Sequence, residues 1–199
     1  MTFRRLDRRT LPIESRALAK ALIGCILVSD SPEGRTAGRI VETEAYLPGD
    51  PACHAFAGRT ARNATLFGEP HRAYVYQIYG TSFCFNLAAE AEGTGAGVLV
   101  RALEPLDGIA LMEARRGTAV LRDLCRGPGR LAQALGIVRG HDGLELFAGG
   151  RLWLAAPTEP VRRIRVSRRI GLTKAAERRL RFYVAGNSFV SGPRNLSPP

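Results

Sequence analysis

This 199-residue chain lacks the long apolar runs that mark membrane proteins. No stretch approaches the roughly 18 apolar residues of a spanning helix, and the start MTFRRLDRRTLP lacks the apolar core of a signal peptide. We therefore expect a soluble, cytoplasmic protein with no membrane partner. Its 45% hydrophobic content is ample for one packed core.

Cysteine and histidine are also scarce. The four cysteines include no CxxC pair, so the sequence indicates neither a zinc site nor a disulfide framework, and we expect reduced, mostly buried thiols. Three histidines without an HExxH motif leave no obvious cage for a catalytic metal. The glycine cluster GTGAG at 93–97 precedes a predicted strand, so it predicts a flexible connection and not a phosphate-binding loop. We expect no metal and no organic cofactor.

Lysine is nearly absent, since Lys20 and Lys174 are the only two. Arginine supplies almost all of the 29 positive charges, which exceed the 18 acidic residues and give a formal net charge of +11. Arginine forks onto phosphates and stacks on bases better than lysine does, so this excess favours a nucleic-acid partner. A GC-rich coding bias would also replace lysine by arginine, but it does not explain the net charge.

The hydrophobic pattern predicts a single α/β (α+β) domain with a curved, mostly antiparallel β-sheet and flanking helices. Helices are predicted in SRALAKALIG, with Ser15 as the N-cap, in PLDGIALMEARR and in GPGRLAQALGI. Strand patterns occur in CILVSD, TAGRIVETEAY, HRAYVYQIY, SFCFNLAA, VLVRAL, RLWLAA, VRRIRVSRRIG and RLRFYVAG. The stretch 47–69 has no period and predicts a long loop. The domain is expected to cover 1–199, with a basic segment at 1–13 and a flexible tail at 193–199.

Two local patterns are candidates for chemistry. In IVETEAY, strand alternation places Glu42 and Glu44 on one face, although an ordinary polar sheet face would have the same pattern. In the second hairpin, core packing accounts for Tyr74 but poorly for Tyr79, because a bulky ring at a tight turn has little to pack on within its own hairpin. On a basic protein, an exposed ring on a narrow ribbon is shaped to enter a DNA minor groove and separate bases.

Five segments of the chain form a series: GRIVETEAYLPGDPACHAFAGRTARNATLF, YVYQIYGTSFCFN, VLVRALEPLDG, CRGPGRLAQALGI and LRFYVAGNSFVS. In order and spacing they resemble the alkyladenine (3-methyladenine) DNA glycosylases, also called the methylpurine glycosylase family. The resemblance covers roughly residues 17–192. It implies an enzyme that flips a damaged purine out of double-stranded DNA and hydrolyses its N-glycosidic bond, leaving an abasic site. Nothing in the sequence demands more than a monomer, and in a bacterium we expect association with the nucleoid.

The resemblance implies roles for five residues in catalysis and base binding. Glu44 matches the general base that activates a water. Arg101 matches the arginine that helps to hold this carboxylate and the water. Tyr46, His54 and Tyr76 match the side chains that enclose the flipped base.

Four further positions match residues that contact the base or lie near the DNA. Asn86 matches the asparagine that disfavours normal guanine, and Tyr79 matches the wedge that fills the vacated space in the base stack. Arg62 and Asn63 match a loop near the substrate pocket, where we expect a structural or DNA-contact role. The chain departs from the family at 81–82, where threonine and serine replace methionine and a bulky side chain, and this bears on wedge insertion.

These residue types suit the implied reaction. Cleaving a purine from deoxyribose develops positive charge on the sugar, so a carboxylate can steady it while drawing a proton from water. Aromatic rings stack on any purine and attract one that alkylation has made cationic, by ~0.5–2 kcal/mol per contact. No lysine lies between Ala21 and Thr173 to form a Schiff base, so we expect a monofunctional glycosylase. The sequence does not select among 3-methyladenine, 7-methylguanine, hypoxanthine and ethenoadenine.

Two other functions stay open on the residues alone. A non-catalytic nucleic-acid-binding module of the same fold would keep the basic surface and the aromatic hairpin, but would have no need of Glu44. A nucleoside hydrolase would need neither the net charge nor a protruding tyrosine. Among the remaining residues, His71 and His141 are expected at the surface, and the arginines of VRRIRVSRRIG line either a phosphate-binding surface or a solvated sheet face.

Overall fold

The computed structural model describes residues 1–78 and 80–193, in which eight strands form one curled, antiparallel sheet accompanied by three α-helices. The strands are β1 (Ile26–Ser31), β2 (Gly34–Tyr46), β3 (Ala73–Ile78), β4 (Ser82–Ala88), β5 (Gly97–Asp107), β6 (Leu152–Ala155), β7 (Ile164–Ser167) and β8 (Arg181–Val184). The helices are α1 (Ser15–Ala21), α2 (Ile109–Arg116) and α3 (Pro128–Leu135). Each helix and strand pattern in the sequence overlaps one of these elements, and the predicted fold class is confirmed.

Strand β2 is the centre of the sheet because it pairs along both of its sides. Strand β5 runs along one side. The other side is shared, since β1 pairs with the first half of β2 and β8 pairs with Glu42–Glu44 near its end. The order of the sheet is β3-β4-β5-β2-β1-β6, and β7 pairs with β8. The end of β2 is therefore enclosed between β5 and β8.

The helices cover one face of the sheet with apolar side chains. Leu18 of α1, Met112 of α2 and Leu131 of α3 are fully buried in the same cluster as Val98 and Val100 of β5. Burial of one such side chain contributes about 1.5–3 kcal/mol, so this face supplies most of the core. The loops that follow β2 and β7 lie on the opposite face of the sheet.

The ends of the helices follow from local chemistry. Helix α3 begins with Pro128, where the missing N–H costs no helical hydrogen bond, and ends at Gly136 with φ of +67°. Ser15, predicted as the N-cap of α1, is instead its first residue. The Glu14 carboxylate is the cap and accepts from two backbone N–H groups of the first turn. The Ser15 hydroxyl donates to Glu90 Oε1 at 2.7 Å.

The predicted long loop lies between β2 and β3 and contains one short 3₁₀ turn at Ala64–Phe67. It packs against the glycines that precede β5, which were expected to form a flexible connection. A Cβ on Gly95 would lie 2.5 Å from both Ala55 Cβ and Phe67 Cζ. Gly95 is therefore needed for close packing, because any side chain there would meet the loop.

The basic N-terminal segment lies along the edge of the sheet. Arg5 forms a β-bridge with Ala155 of β6, and the Leu6 N–H donates to the Leu154 carbonyl oxygen at 3.0 Å. Within the described ranges, no helix is long and apolar enough to cross a membrane. Two predictions lie wholly or mostly outside the described residues: the Tyr79 wedge and the flexible tail at 193–199, of which only residue 193 is described.

The cysteines follow the prediction and one histidine does not. All four cysteines are free and buried. His71, expected at the surface, is only 3% exposed: its Nε2 lies 3.0 Å from the Pro12 carbonyl oxygen and its ring packs edge-on against Phe147. Burial lowers the pKa of His71. His141 is partly exposed. In residues 1–78 and 80–193, no group of three or more His, Cys, Asp or Glu side chains is placed to hold a metal ion.

Candidate active site

Glu42 and Glu44 near the end of β2 are both fully buried. Because side chains alternate along a strand, the two carboxylates share a face, while the Thr43 hydroxyl on the other face donates to the Ala19 carbonyl oxygen at 2.7 Å. The alternative of an ordinary polar sheet face, exposed to solvent, is wrong, because both side chains are 0% exposed. Buried carboxylates need paired charges and hydrogen bonds, and the neighbouring strands and loops supply them.

A bulge in β5 directs Arg101 to these carboxylates. The residues on either side of Arg101 pair with β2, whereas Arg101 has no partner there and is the extra residue of the bulge. Its Nη1 lies 3.3 Å from Glu44 Oε2, and its Nε lies 3.3 Å from Glu42 Oε1. Burial lowers the pKa of Arg101, but the charges of Glu44 and Glu42 outweigh burial and raise it. One guanidinium therefore bridges both glutamates.

The Glu44 carboxylate is also held by two hydrogen bonds. Its Oε1 accepts from the Ile170 backbone N–H at 2.8 Å, and its Oε2 accepts from the Tyr46 hydroxyl at 2.9 Å. Burial and the adjacent Glu44 charge raise the pKa of Tyr46, so its hydroxyl stays protonated and donates. Glu44 is thus fixed in orientation, and its hydrogen bond to Tyr46 connects it to the cavity that Tyr46 lines.

Glu42 is held by different partners. Arg181 of β8 is fully buried and donates from Nε to Glu42 Oε1 at 2.6 Å. The Ser191 N–H donates to Glu42 Oε2 at 2.7 Å, and the Ser191 carbonyl oxygen accepts from Arg181 Nη2 at 3.2 Å. Both oxygens of Glu42 are therefore occupied by the protein itself, and this carboxylate anchors the charges around Glu44.

A third buried carboxylate, Asp50, pairs with Arg169. The two Nη atoms of Arg169 donate to the two Asp50 oxygens at 2.5 and 3.2 Å, and both side chains are fully buried. Burial raises the pKa of Asp50, but the hydrogen bonds from Arg169 more than offset this and lower it. The Arg169 guanidinium also lies 4.6 Å from the centre of the Tyr46 ring. With Glu42, Glu44 and their two arginines, three carboxylates and three guanidiniums are buried in formal balance.

A cavity of about 110 Å³ opens beside Tyr46. Three tyrosines and one histidine contribute aromatic rings to its lining, which includes Tyr46, His54, Tyr74, Tyr76, Asn86 and Leu172. The four residues that the sequence predicted for a base pocket thus meet at one cavity. Asn86 is fixed there because its Nδ2 donates to the Tyr74 carbonyl oxygen at 3.1 Å.

Three rings form one wall of the cavity. The His54 and Tyr76 ring centres lie 4.3 Å apart at 64°, and those of Tyr74 and Tyr76 lie 5.4 Å apart at 31°. His54 Nδ1 lies 3.0 Å from the Tyr74 hydroxyl, and burial raises the pKa of that hydroxyl to about 12. Burial, with the nearby charge of Arg62, lowers the pKa of His54, which favours a neutral ring. A hydroxyl that donates to Nδ1 leaves the proton of the neutral ring on Nε2.

The loop residues Arg62 and Asn63 have different positions. Asn63 is buried, and its Nδ2 donates to the carbonyl oxygens of His54 and Gly58 at 2.8 and 3.0 Å, so it holds the loop that carries His54. Arg62 is exposed and donates to the Gln77 carbonyl oxygen at 3.2 Å, which places its guanidinium beside the second hairpin. Asn63 is therefore structural, and Arg62 remains available to a ligand.

Sequence reasoning missed several residues of this site. Tyr74 was expected only as core, but it lines the cavity. Asp50 lies in a stretch without periodicity, and Arg181 lies in an ordinary strand pattern, so neither had a signal of its own. Arg169 belongs to the arginine-rich segment, where it is neither a phosphate-binding nor a solvated residue, since it is buried against Asp50.

Comparison with known proteins gives one consistent result. The family model described as methylpurine-DNA glycosylase (MPG) matches residues 10–188. A Mesorhizobium japonicum protein named "Putative 3-methyladenine DNA glycosylase" is 57% identical over 191 residues, which cover 96% of this chain and 92% of the relative. Proteins with the same name from Paraburkholderia phytofirmans and Rubrobacter xylanophilus are each 49% identical, over 191 and 176 residues. They cover 96% and 88% of this chain, and 90% and 92% of their own lengths.

Proposed function

This chain belongs to the methylpurine-DNA glycosylase family, and from that premise we propose that it excises damaged purines from double-stranded DNA. Its activity as a DNA glycosylase, a hydrolase of DNA repair, follows from the family. The proposed substrates are alkylated or deaminated purines, among them 3-methyladenine, 7-methylguanine, hypoxanthine and ethenoadenine. The proposed enzyme acts as a monomer without a metal or organic cofactor, and it leaves an abasic site.

The single observation that carries the mechanism is the position of Glu44. This buried carboxylate is connected to the aromatic cavity through the Tyr46 hydroxyl and is held by Arg101. An ionised carboxylate offers about four acceptor positions. The two hydrogen bonds to Glu44 and the contact with Arg101 use three of them, which leaves one position that can accept from a water. The Ile170 and Tyr46 donors fix the orientation of the carboxylate, and Tyr46 itself lines the cavity in which the nucleotide is proposed to bind.

The proposed reaction uses Glu44 in two ways. As the bond between C1′ and the purine nitrogen breaks, its electron pair leaves with the base and the sugar becomes cationic. The charge of Glu44 steadies the sugar, the oxygen of water bonds to C1′, and the proton of that water passes to the carboxylate. A general base of this kind contributes about 10²–10⁴-fold to the rate. Arg101 orients the carboxylate and the water in this scheme.

The cavity supports recognition of a flipped purine. Tyr46 and Tyr76 offer ring faces for stacking, and a base made cationic by alkylation gains about 0.5–2 kcal/mol for each favourable ring contact. A neutral His54 with its proton on Nε2 donates to an acceptor on the purine edge. Asn86, fixed on β4, excludes the exocyclic amino group of normal guanine.

Binding to the duplex is proposed to use the basic surface and the second hairpin. Tyr79 at the hairpin turn fills the space that the flipped nucleotide leaves, and Arg62 beside this hairpin contacts the backbone phosphates. Cleavage of the DNA backbone requires an amine nucleophile, and no lysine is among the described residues that line the cavity. The proposed enzyme is therefore monofunctional. Lys20 lies on α1, and Lys174 is exposed two residues after the cavity residue Leu172.

The function is tested by single-turnover base release from duplexes that carry one hypoxanthine or one ethenoadenine, and from methylated duplex DNA. Wild type is compared with E44Q in the presence of a chelator. We expect wild type to release the base and E44Q to release it about 10²–10⁴-fold more slowly. Both proteins should still bind the lesion duplex. Binding without release from any substrate would instead support a non-catalytic nucleic-acid-binding module.

The monofunctional assignment has its own control in borohydride trapping on abasic DNA. Wild type and K174M should both give no covalent adduct, because no amine takes part. An adduct that disappears in K174M would show that the exposed lysine near the cavity forms a Schiff base, and the enzyme would then be bifunctional.

A further inference from the structure

We propose that the buried Asp50–Arg169 ion pair is a positioning device for base release, which aligns Glu44 with the aromatic cavity. The inference rests on the function proposed above and extends it to two residues that do not line the cavity. The two side chains are fully buried and bonded through both Asp50 oxygens. Their neighbours show why this pair acts on the site and not only on the fold.

Arg169 fixes both hydrogen-bond donors of Glu44. Its Nη1 donates to the Ala45 carbonyl oxygen at 3.1 Å, and its guanidinium lies 4.6 Å from the centre of the Tyr46 ring. Tyr46 in turn donates to Glu44 Oε2, and the next residue in the chain, Ile170, donates its N–H to Glu44 Oε1. Movement of one guanidinium therefore displaces the two groups that orient the carboxylate.

Asp50 connects the same arginine to the wall of the cavity. Its Oδ1 accepts from the Ala52 N–H at 3.0 Å, and its carbonyl oxygen accepts from the Cys53 N–H at 2.8 Å. Ala52, Cys53 and His54 follow directly and line the cavity. The ion pair thus sets the distance between the wall that contacts the base and the carboxylate that receives the proton.

The geometry requires arginine at this position. A lysine keeps the positive charge, but its three N–H donors share one nitrogen, so it lacks the planar fork that bonds both Asp50 oxygens from two nitrogens while stacking on Tyr46. A displacement of about 1 Å at a reacting group can lower a rate about 100-fold. We expect R169K to lower the single-turnover rate constant by roughly 10- to 100-fold. Affinity for lesion DNA should change less than about threefold, because the surface that faces DNA is unaltered.

The experiment compares wild type with R169K, D50N and the double variant D50N/R169M, in which the two charges are removed together. The matched control is R115K, because Arg115 also bonds a carboxylate with two nitrogens, donating to Glu33 Oε2 at 3.1 and 2.6 Å, but lies on α2. Release of hypoxanthine is measured at saturating enzyme, at a temperature where circular dichroism shows every variant folded. Affinity is measured with each substitution placed on E44Q, so that no base is released.

The proposal is supported if R169K releases the base slowly with unchanged affinity for lesion DNA, while R115K releases it at the wild-type rate. The proposal is also supported if D50N/R169M is more stable than D50N but still releases the base more slowly than wild type. The proposal is overturned if R169K releases base at the wild-type rate, or if the rate of D50N/R169M recovers together with its stability. If R169K does not fold, the double variant decides. Absence of release by wild type from hypoxanthine, ethenoadenine and methylated duplexes alike is a separate outcome, which rejects the proposed function itself.

Discussion

Replacing Glu42 by glutamine tests whether the buried charges of the sheet must balance. E42Q keeps the shape of the side chain but removes the charge of one of the three buried carboxylates, and Arg181 loses the charged oxygen to which it donates at 2.6 Å. Removing one partner of a buried ion pair costs about 3–5 kcal/mol, because the remaining charge is uncompensated. In a domain of this size each kcal/mol lowers Tm by about 2–4 °C, so we expect a fall of about 6–20 °C.

Thermal unfolding followed by circular dichroism at pH 7 measures this effect. The matched control is E159Q, because Glu159 also pairs with an arginine, Arg39, at 3.3 Å, but its side chain is 69% exposed. An exposed pair contributes about 0–1 kcal/mol, so Tm of E159Q should fall by less than about 4 °C. A fall in E42Q no larger than that in E159Q would refute the reasoning, since Glu42 would then not compensate buried charge.

Three further predictions concern single contacts. The pKa of His71 is near 6.5 in the unfolded chain and is lowered by burial in the folded protein, so protonation favours unfolding as the pH falls. Stability, measured as Tm, should therefore fall from pH 7 to pH 5, and H71N should make this fall smaller. Y74F removes the hydroxyl 3.0 Å from His54 Nδ1 and should slow single-turnover release of hypoxanthine roughly tenfold, the equivalent of one hydrogen bond. G95A puts a Cβ 2.5 Å from Phe67 Cζ, and the resulting overpacking of about 1–3 kcal/mol should lower Tm by about 2–12 °C.

Each of these predictions has a result that contradicts it. H141N is the control for H71N, and equal pH dependence in the two would show that the buried histidine is not responsible. A wild-type rate in Y74F would mean that the His54 ring does not need the hydroxyl. G95A melting together with wild type would show that the loop can move away from β5 without cost.

The face of β2 that carries the carboxylates could be predicted from alternation alone, because that period is a property of the strand itself. The role of Arg101 as a bridge could not be derived in the same way. It depends on a bulge that adds one residue to β5 relative to β2, and such a shift in register is set by packing between strands. Only the resemblance to a known family pointed to this residue.

The fate of the arginine-rich segment illustrates a second limit. Its composition gives the same charge to Arg168 and Arg169, yet one is exposed and the other is buried. The difference arises because Asp50 approaches from a loop more than a hundred residues earlier in the chain. A long-range ion pair of this kind has no local pattern, whereas the helix ends at Pro128 and Gly136 are local and could be predicted.

The pairing of Glu42 and Glu44 with distant segments also determines when the site can form during synthesis. Ile170 lies 126 residues after Glu44, and Ser191 lies 149 residues after Glu42. At a translation rate of about 5–20 residues per second, Glu44 is joined to the chain roughly 6–25 s before Ile170. Arg101 of β5 is made early enough to pair with both glutamates, but Arg181, the second partner of Glu42, is joined to the chain only after Ile170. The full set of contacts around Glu42 and Glu44 can therefore form only when nearly the whole chain has been made, and a nascent chain that can already form β1 and β2 does not yet hold these two carboxylates in place.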